Sequence, residues 1–214
     1  MNLGVLASHE GSTLQAVLDA CASGAIRGRV TVVISNNSEA RALRRAAAAG
    51  ISVCHISAHT HPEPEDWDRA VCEALDAAAV DVVLLAGFMK RLGAHTLIRY
   101  RGRTLNTHPA LLPKYGGPGM YGMHVHRAVL AAGDHITGAS VHVVTAAYDE
   151  GPVVAQRAVS VEPGDTPETL ATRVQAAERE LVVDVLSGLA GAYLVPPPAA
   201  RDVLMYRPHN ERRR

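Results

Sequence analysis

Short apolar runs alternate with segments of helical periodicity along the first half of the chain. Five runs rich in β-branched and other apolar residues are typical of strands, and they cover residues 3–7, 30–35, 51–56, 80–87 and 103–106. The segments between them carry apolar residues at helical spacing, and the predicted helices cover residues 14–21, 40–49, 66–79 and 94–100. The run at 80–87 is apolar almost throughout, which indicates cover on both faces and hence a parallel strand. This alternation predicts a doubly wound α/β sheet.

The second half of the chain changes to a different pattern. Residues 137–145 alternate as a strand, residues 148–152 form a loop, and residues 153–161 return, which predicts an antiparallel pair added to the sheet. The predicted fold is a single Rossmann-like, doubly wound, mostly parallel sheet with an antiparallel C-terminal strand pair and a C-terminal helix.

The last predicted helix has a clear start. Thr166 is typical of an N-cap and Pro167 of a first helical position, and the helix is predicted to run to Gly188. The triple proline that begins at Pro196 predicts the end of the compact unit. We therefore expect one domain over residues 1–195 and a tail over residues 196–214.

Composition narrows the classes of function. The chain has 214 residues, 48% of them hydrophobic, and 21 basic residues balance 21 acidic ones. This balance predicts no general affinity for nucleic acid or for an anionic membrane. The three cysteines are widely separated, which favours a reducing cytoplasm over a disulfide framework. Met1 leads directly into an apolar strand, so we expect no signal peptide, and no apolar run is long enough to cross a bilayer.

Histidines in the loop after the third strand raise the question of a metal site. His55, His59 and His61 lie close together in the sequence, but two prolines interrupt the loop that carries them. No cysteine or carboxylate stands at metal-ligand spacing. We interpret the segment as a solvated loop and expect no metal.

The end of the fifth strand carries an amide and an imidazole on one side of the backbone. Asn106 and His108 are two residues apart, and positions i and i+2 of an extended segment face the same way. An amide donates to a developing oxyanion and an imidazole handles a proton, so the pair suits acyl chemistry. The alternative is a turn in which both satisfy local backbone groups. Asp149 is either a turn aspartate or a carboxylate partner for His108.

The turn after the first strand is a candidate anion site. Gly11 and Ser12 stand between a strand and a helix N-terminus, where free N–H groups and the helix dipole favour an anion. Ser12 and Gln15 match a capping box. The dinucleotide fingerprint is absent, so the alternatives are a monophosphate loop and an ordinary capped helix start.

Other segments leave alternatives open. Phe88 either packs under the sheet or forms a wall for a flat ligand, and the Gly-rich residues 116–122 suit a lid or a close approach of backbone to ligand. His124 and His126 are interpreted as surface or capping residues. Glu178 is interpreted as part of a charged solvent face of the last helix.

Five segments, in order along the chain, resemble segments of one enzyme family. They follow the first strand, leave the fourth, end the fifth, and occupy the sixth strand and the loop after it: residues 11–16, 84–89, 105–114, 140–144 and 149–153. The N-x-H-P-x-L-L-P run with the later D-x-G-P is similar to the folate-dependent formyltransferase superfamily. The resemblance extends from Met1 to about Gly191 and favours the phosphoribosylglycinamide formyltransferase branch of this superfamily.

The resemblance implies roles for particular residues. Asn106, His108 and Asp149 fall on the family's catalytic positions. The substrate-binding and folate-binding positions that it implies are Gly11, Ser12, Thr13 and Glu178 for the substrate, and Met89, Lys90, Arg91, Leu92 and Asn106 for folate. The family usually has Asn where Thr13 stands. No metal is implied.

The resemblance also implies a reaction. The expected activity is transfer of a formyl group from 10-formyltetrahydrofolate to the amine of 5'-phosphoribosylglycinamide in purine synthesis, in the cytoplasm, by a monomer or homodimer. We expect Asp149 to raise the pKa of His108 and keep imidazolium available. The alternatives are a formyltetrahydrofolate hydrolase, a formyltransferase for another amine such as an amino sugar or a tRNA, and a non-catalytic nucleotide-binding module.

Overall fold

The computed structural model describes residues 1–193 and shows one seven-stranded mixed sheet. The strands are β1 (Asn2–Leu6), β2 (Arg29–Ser35), β3 (Ser52–His55), β4 (Val82–Leu85), β5 (Thr104–His108), β6 (Ile136–Val143) and β7 (Val153–Ser160). Their order across the sheet is β3-β2-β1-β4-β5-β6-β7. The first five are parallel, whereas β6 pairs antiparallel with both β5 and β7. The predicted fold class is confirmed.

Helices cover both faces of the sheet. They are α1 (Ser12–Ala22), α2 (Arg41–Ala48), α3 (Pro64–Ala77), α4 (Ala94–Arg99), α5 (Met123–Ala131) and α6 (Pro167–Tyr193). One apolar cluster joins one face of the sheet to α1, α2, α5 and α6, and a second joins the other face to α3 and α4. Leu84 belongs to the first cluster and Leu85 to the second. Successive residues of β4 are thus buried on opposite faces, which explains its continuous apolar sequence.

The start of α1 differs from the prediction. Gly11, not Ser12, is the N-cap, with a left-handed backbone at φ 69° and no side-chain capping bond. A Cβ on Gly11 would lie 2.8 Å from Cβ of Ala42, so only glycine fits this close approach. Gln15 instead bonds to Asp19 and Arg45. The predicted capping box is therefore wrong.

Three other boundaries affect the site. β5 continues to His108, so Asn106 and His108 both lie within the strand, beyond its predicted end at Asn106. β4 is shorter than predicted, and its ladder ends at Leu85, where the chain leaves the sheet at the carboxyl edge of the strands. α6 begins at Pro167 as predicted, with Thr166 accepting from the amide of Thr169, and runs beyond Gly188.

Two further expectations concern the C-terminal tail and membrane-spanning segments. The predicted tail, residues 196–214, lies outside the described residues. Within residues 1–193 no helix combines the length and the apolar character needed to cross a membrane.

Candidate active site

A large cleft lies at the carboxyl edge of the parallel strands. Its volume is about 930 Å³, in the range of small-molecule sites. The sequence-predicted site residues all line it: Gly11, Ser12, Thr13, Met89, Lys90, Arg91, Leu92, Asn106, His108, Asp149 and Glu178. Smaller hollows of about 300 Å³ and 440 Å³ lie elsewhere and contain none of these except Lys90. Parallel strands direct ligands to this edge of the sheet.

The pairing of β5 with β6 builds one wall of the cleft. Asn106 stands opposite His142 in the ladder, and Nδ2 of Asn106 donates to Nε2 of His142 at 3.0 Å. Nδ1 of His142 donates to the Val143 carbonyl at 3.1 Å, which fixes the ring. His108, two residues further along β5, is 3% exposed. An amide and two imidazoles therefore face the same side of the sheet.

Asp149 joins the two histidines from the loop between β6 and β7. Its Oδ2 lies 3.5 Å from Nδ1 of His108, and its Oδ1 lies 3.4 Å from Nε2 of His142. The amide of Gly117 donates to Oδ2 at 3.0 Å. The backbone of Asp149 is left-handed at φ 55°, a conformation that Asp and Asn tolerate better than most residues. The structure thus brings together the three predicted catalytic side chains.

Two acceptors surround the ring of His108. Nε2 lies 2.7 Å from the Tyr115 carbonyl oxygen, and because a carbonyl only accepts, Nε2 carries the hydrogen. Nδ1 therefore faces the Asp149 carboxylate, an arrangement that suits a protonated Nδ1. Burial nevertheless lowers the pKa of His108 more than Asp149 and Tyr115 raise it. Asp149 does raise the pKa of His108, as expected, but desolvation of the ring outweighs the carboxylate, so the pKa lies below its ordinary value and imidazolium is less available than expected.

Asp149 remains a carboxylate despite its partial burial. Burial raises its pKa, but the neighbouring His142 ring, the imidazolium form of His108 and the Gly117 amide together hold the pKa of Asp149 below its usual range. A charged carboxylate is thus fixed beside the His108 ring and stabilises imidazolium whenever the ring takes up a proton.

A second carboxylate occupies the opposite face of the sheet. Oε1 of Glu178, on α6, accepts from the hydroxyl of Thr13 at 3.1 Å and from that of Thr107 at 3.0 Å. Burial raises the pKa of Glu178, and the two hydroxyls act against that rise. Glu178 is therefore directed into the cleft, and its assignment to a solvent face was wrong. Helical spacing alone does not identify which side of α6 packs against the sheet.

The start of α1 presents free backbone donors to the cleft. Gln15 is the first residue of the helix whose amide bonds back along the chain, to the Gly11 carbonyl at 2.9 Å. Within the part of the chain that the structure describes, the amides of Ser12 and Thr13 have no acceptor. Arg45, from α2, also lines this end of the cleft. Free amides, a helix N-terminus and a cation together suit a phosphate.

The loop after β4 lines the other end of the cleft. Met89 to Leu92 face residues 144–148 across a gap, and Arg91 bridges the gap by donating to the Ala146 carbonyl and lying over the Tyr148 ring at 5.0 Å. Phe88 is 8% exposed and stacks on Trp67 with centroids 6.3 Å apart, so it packs chiefly in the core under this loop. The slot between the two loops suits a flat, partly apolar ligand.

The Gly-rich segment and the histidines that follow it lie beside the catalytic wall, the wall of the cleft that β5 and β6 form with Asn106, His108 and His142. Gly117, Met120 and Tyr121 line the cleft, which agrees with an approach of backbone to ligand. His126 is 2% exposed and also lines the cleft, so its interpretation as a surface residue was wrong, whereas His124 is exposed. The second histidine of α5 is buried because α5 places the adjacent Val125, and Val129, in the apolar cluster that it shares with α6.

Sequence reasoning missed His142 and Thr107 as members of the site. His142 lies within a segment that carries the family resemblance, yet only the register of β5 against β6 places it on Asn106. Thr107 lies between the two predicted catalytic residues, and strand alternation predicts that it faces the other side. Within residues 1–193 no group of three or more His, Cys, Asp or Glu side chains has an arrangement that could hold a metal ion.

Fold and cleft together define an α/β enzyme whose polar groups converge at the carboxyl edge of its sheet. Residues 1–186 match the formyl transferase family, and the chain belongs to that family. The predicted superfamily is confirmed.

Similar proteins narrow the branch within the family. The chain is 43% identical over 194 residues to phosphoribosylglycinamide formyltransferase of Escherichia coli K12, covering 91% of this chain and 89% of the relative. It is 45% identical to the Mycobacterium tuberculosis enzyme of the same description, covering 88% and 84%. The glycinamide ribonucleotide transformylase 1 structure from Symbiobacterium toebii superposes with a TM-score of 0.84 at 40% identity, covering 90% and 88%. The predicted branch is confirmed.

Proposed function

We propose that this chain transfers the formyl group of 10-formyltetrahydrofolate to the amine of 5'-phosphoribosylglycinamide, in the synthesis of the purine IMP. The observation that carries the proposal is the convergence of Asn106, His108 and Asp149 in one cleft. The proposal is supported by two relatives, both phosphoribosylglycinamide formyltransferases, because the sequence match covers 89% and 84% of their length. A non-catalytic nucleotide-binding module has no use for such a group.

The catalytic group suits formyl transfer in the following way. Asn106 donates to the oxygen of the formyl group as negative charge develops on it. His108, neutral at rest because burial lowers its pKa, takes the proton of the attacking amine. Asp149 and the Tyr115 carbonyl stabilise the imidazolium that results. His108 then returns a proton toward the departing folate nitrogen.

The two ends of the cleft accommodate the two substrates. We place the phosphate of the ribonucleotide at Gly11, Ser12 and Thr13, where free amides and the helix dipole meet. Glu178 then lies on the ribonucleotide side and accepts from the amine. Charge and hydrogen-bond direction support this placement, because the phosphate meets donors and the amine meets an acceptor.

The folate fits the opposite end. Met89, Lys90, Arg91 and Leu92 line the slot against residues 144–148, with Asn106 at its inner end. The slot has both apolar walls and backbone groups, which suits a pterin ring. When bound, 10-formyltetrahydrofolate supplies the activated formyl group. No metal enters the proposal.

Location and assembly complete the proposal. We place the protein in the cytoplasm, because its three cysteines are free and separate. We assign the activity to residues 1–195 acting as a monomer or homodimer, with the small-molecule substrates as its only required partners.

One assay tests the activity and its alternatives together. Purified protein is mixed with 10-formyltetrahydrofolate and 5'-phosphoribosylglycinamide, and folate absorbance is followed together with formate release. Transfer that requires the ribonucleotide supports the proposal. Formate release without any amine supports a hydrolase, and transfer to an amino sugar or a tRNA in preference to the ribonucleotide supports another acceptor.

A further inference from the structure

Thr107 joins the two halves of the cleft through one strand. Its neighbours Asn106 and His108 face one side of β5, and its own side chain faces the other, toward α6. There its hydroxyl donates to Oε1 of Glu178 at 3.0 Å. Asn106 and His108 therefore form part of the catalytic wall, and Thr107 between them binds the carboxylate on the opposite face.

Thr13 donates to the same oxygen from a third element. Its hydroxyl lies 3.1 Å from Oε1 of Glu178, so α1, β5 and α6 meet at this atom. Both threonines are largely buried, at 8% and 9% exposure. Within residues 1–193 nothing donates to the second oxygen, Oε2. Two fixed donors on one oxygen orient the carboxylate and leave the other oxygen available to a ligand in the cleft.

We propose that Thr107, together with Thr13, is a positioning residue that holds Glu178 in register with Asn106 and His108 so that Oε2 receives the acceptor amine. This rests on the proposed function for the identity of the acceptor. A primary amine carries N–H donors, and a carboxylate oxygen only accepts hydrogen bonds, so the two groups are complementary. Tying the carboxylate to the strand of the catalytic pair sets the amine at a constant position relative to the formyl group, and position is a large part of such catalysis.

The hydroxyl of Thr13 has a further consequence. Because it is engaged by Glu178, only its backbone amide remains for a phosphate. The phosphate end and the amine end of the ribonucleotide site therefore meet at one residue. A change at Thr13 should affect both ends, whereas a change at Thr107 should affect only the amine end.

The first test is Thr107→Val, which keeps the shape and removes the hydroxyl. We expect kcat/KM for the ribonucleotide to fall on the order of tenfold, since a hydrogen bond to a charged group is lost. The KM for the formyl donor should stay within about twofold, because the folate slot does not involve Thr107. Thr107→Ser restores a hydroxyl and should recover most of the ribonucleotide affinity. Thr13→Val combined with Thr107→Val should lose more than either change alone.

Thr137→Val is the matched control. Thr137 is 2% exposed on β6, and its hydroxyl has no partner within residues 1–193, so its loss should leave both kinetic constants unchanged. Equal effects of Thr107→Val on both substrates, wild-type kinetics in that variant, or no recovery in Thr107→Ser would overturn the proposal.

Calorimetry separates this proposal from the proposed function. It measures ribonucleotide binding without turnover, so the positioning role is tested even if the wild-type protein transfers no formyl group. Weaker ribonucleotide binding in Thr107→Val, with folate binding unchanged, supports the role. Equal ribonucleotide affinity in the two proteins contradicts it, whatever the outcome of the activity assay.

Discussion

Replacing Asp149 by asparagine removes the charge beside the His108 ring while keeping the shape. Oδ2 of Asp149 lies 3.5 Å from Nδ1 of His108. At an effective dielectric constant of about 20, a unit charge pair at this distance interacts by about 5 kcal/mol. The carboxylate is only 11% exposed, so solvent screens the pair little. Allowing for the hydrogen bond that asparagine retains, we expect a loss of at least about 3 kcal/mol of imidazolium stabilisation, or roughly a hundredfold in turnover.

Asparagine is preferred to alanine because of the backbone. Asp149 has φ 55°, which asparagine adopts readily and alanine does not. The folded state should therefore be retained, as measured by circular dichroism and by the midpoint of urea unfolding. Turnover is measured by folate absorbance at saturating concentrations of both substrates, so that a change in binding does not hide the change in chemistry.

The matched control is Asp184→Asn. Asp184 also pairs with a cation, Arg157, but its side chain is 61% exposed, and exposed pairs contribute little. We expect wild-type turnover in the control. Turnover of Asp149→Asn within a few-fold of wild type, in a folded protein, would refute the claim that this carboxylate stabilises a charged His108.

Three further predictions concern the same cleft. His108→Ala should lower turnover at least roughly a hundredfold, since it removes a proton carrier at the reacting centre; circular dichroism checks that the variant is folded, and near-full activity would contradict the role. The pKa of His108, followed by NMR of its ring protons, should lie below the ordinary value of about 6.5 because the ring is buried. In Asp149→Asn this pKa should fall further, because the carboxylate that raises it is lost. An unchanged or higher pKa of His108 in the variant would contradict this prediction. Gly11→Ala should lower the free energy of unfolding by more than the roughly 1–2 kcal/mol of left-handed backbone strain, because the added Cβ also meets Ala42. The same change should raise the KM for the ribonucleotide. Gly50→Ala is the control for strain alone, because Gly50 has φ 71° and open space around it.

Local pattern was sufficient for the fold class and for one half of the site. Periodicities of 2.0 and 3.6 residues are properties of short segments, so strands and helices could be assigned without knowledge of their neighbours. The same reasoning placed Asn106 and His108 on one face of a strand end. It failed at the N-cap of α1, where the conformation of Gly11 is set by its close contact with Ala42 of another helix.

The rest of the site depends on contacts between distant segments. Asp149 reaches His108 only because the antiparallel return of β6 and β7 brings its loop back over β5. His142 meets Asn106 through strand register, and Glu178 turns inward because α6 packs against a face of the sheet. Even the sign of the pKa shift at His108 depended on burial, which a sequence does not specify. The chain alone determined which chemical groups are available and on which elements they lie; tertiary packing decided which of them meet, because distances between remote segments are set by the core.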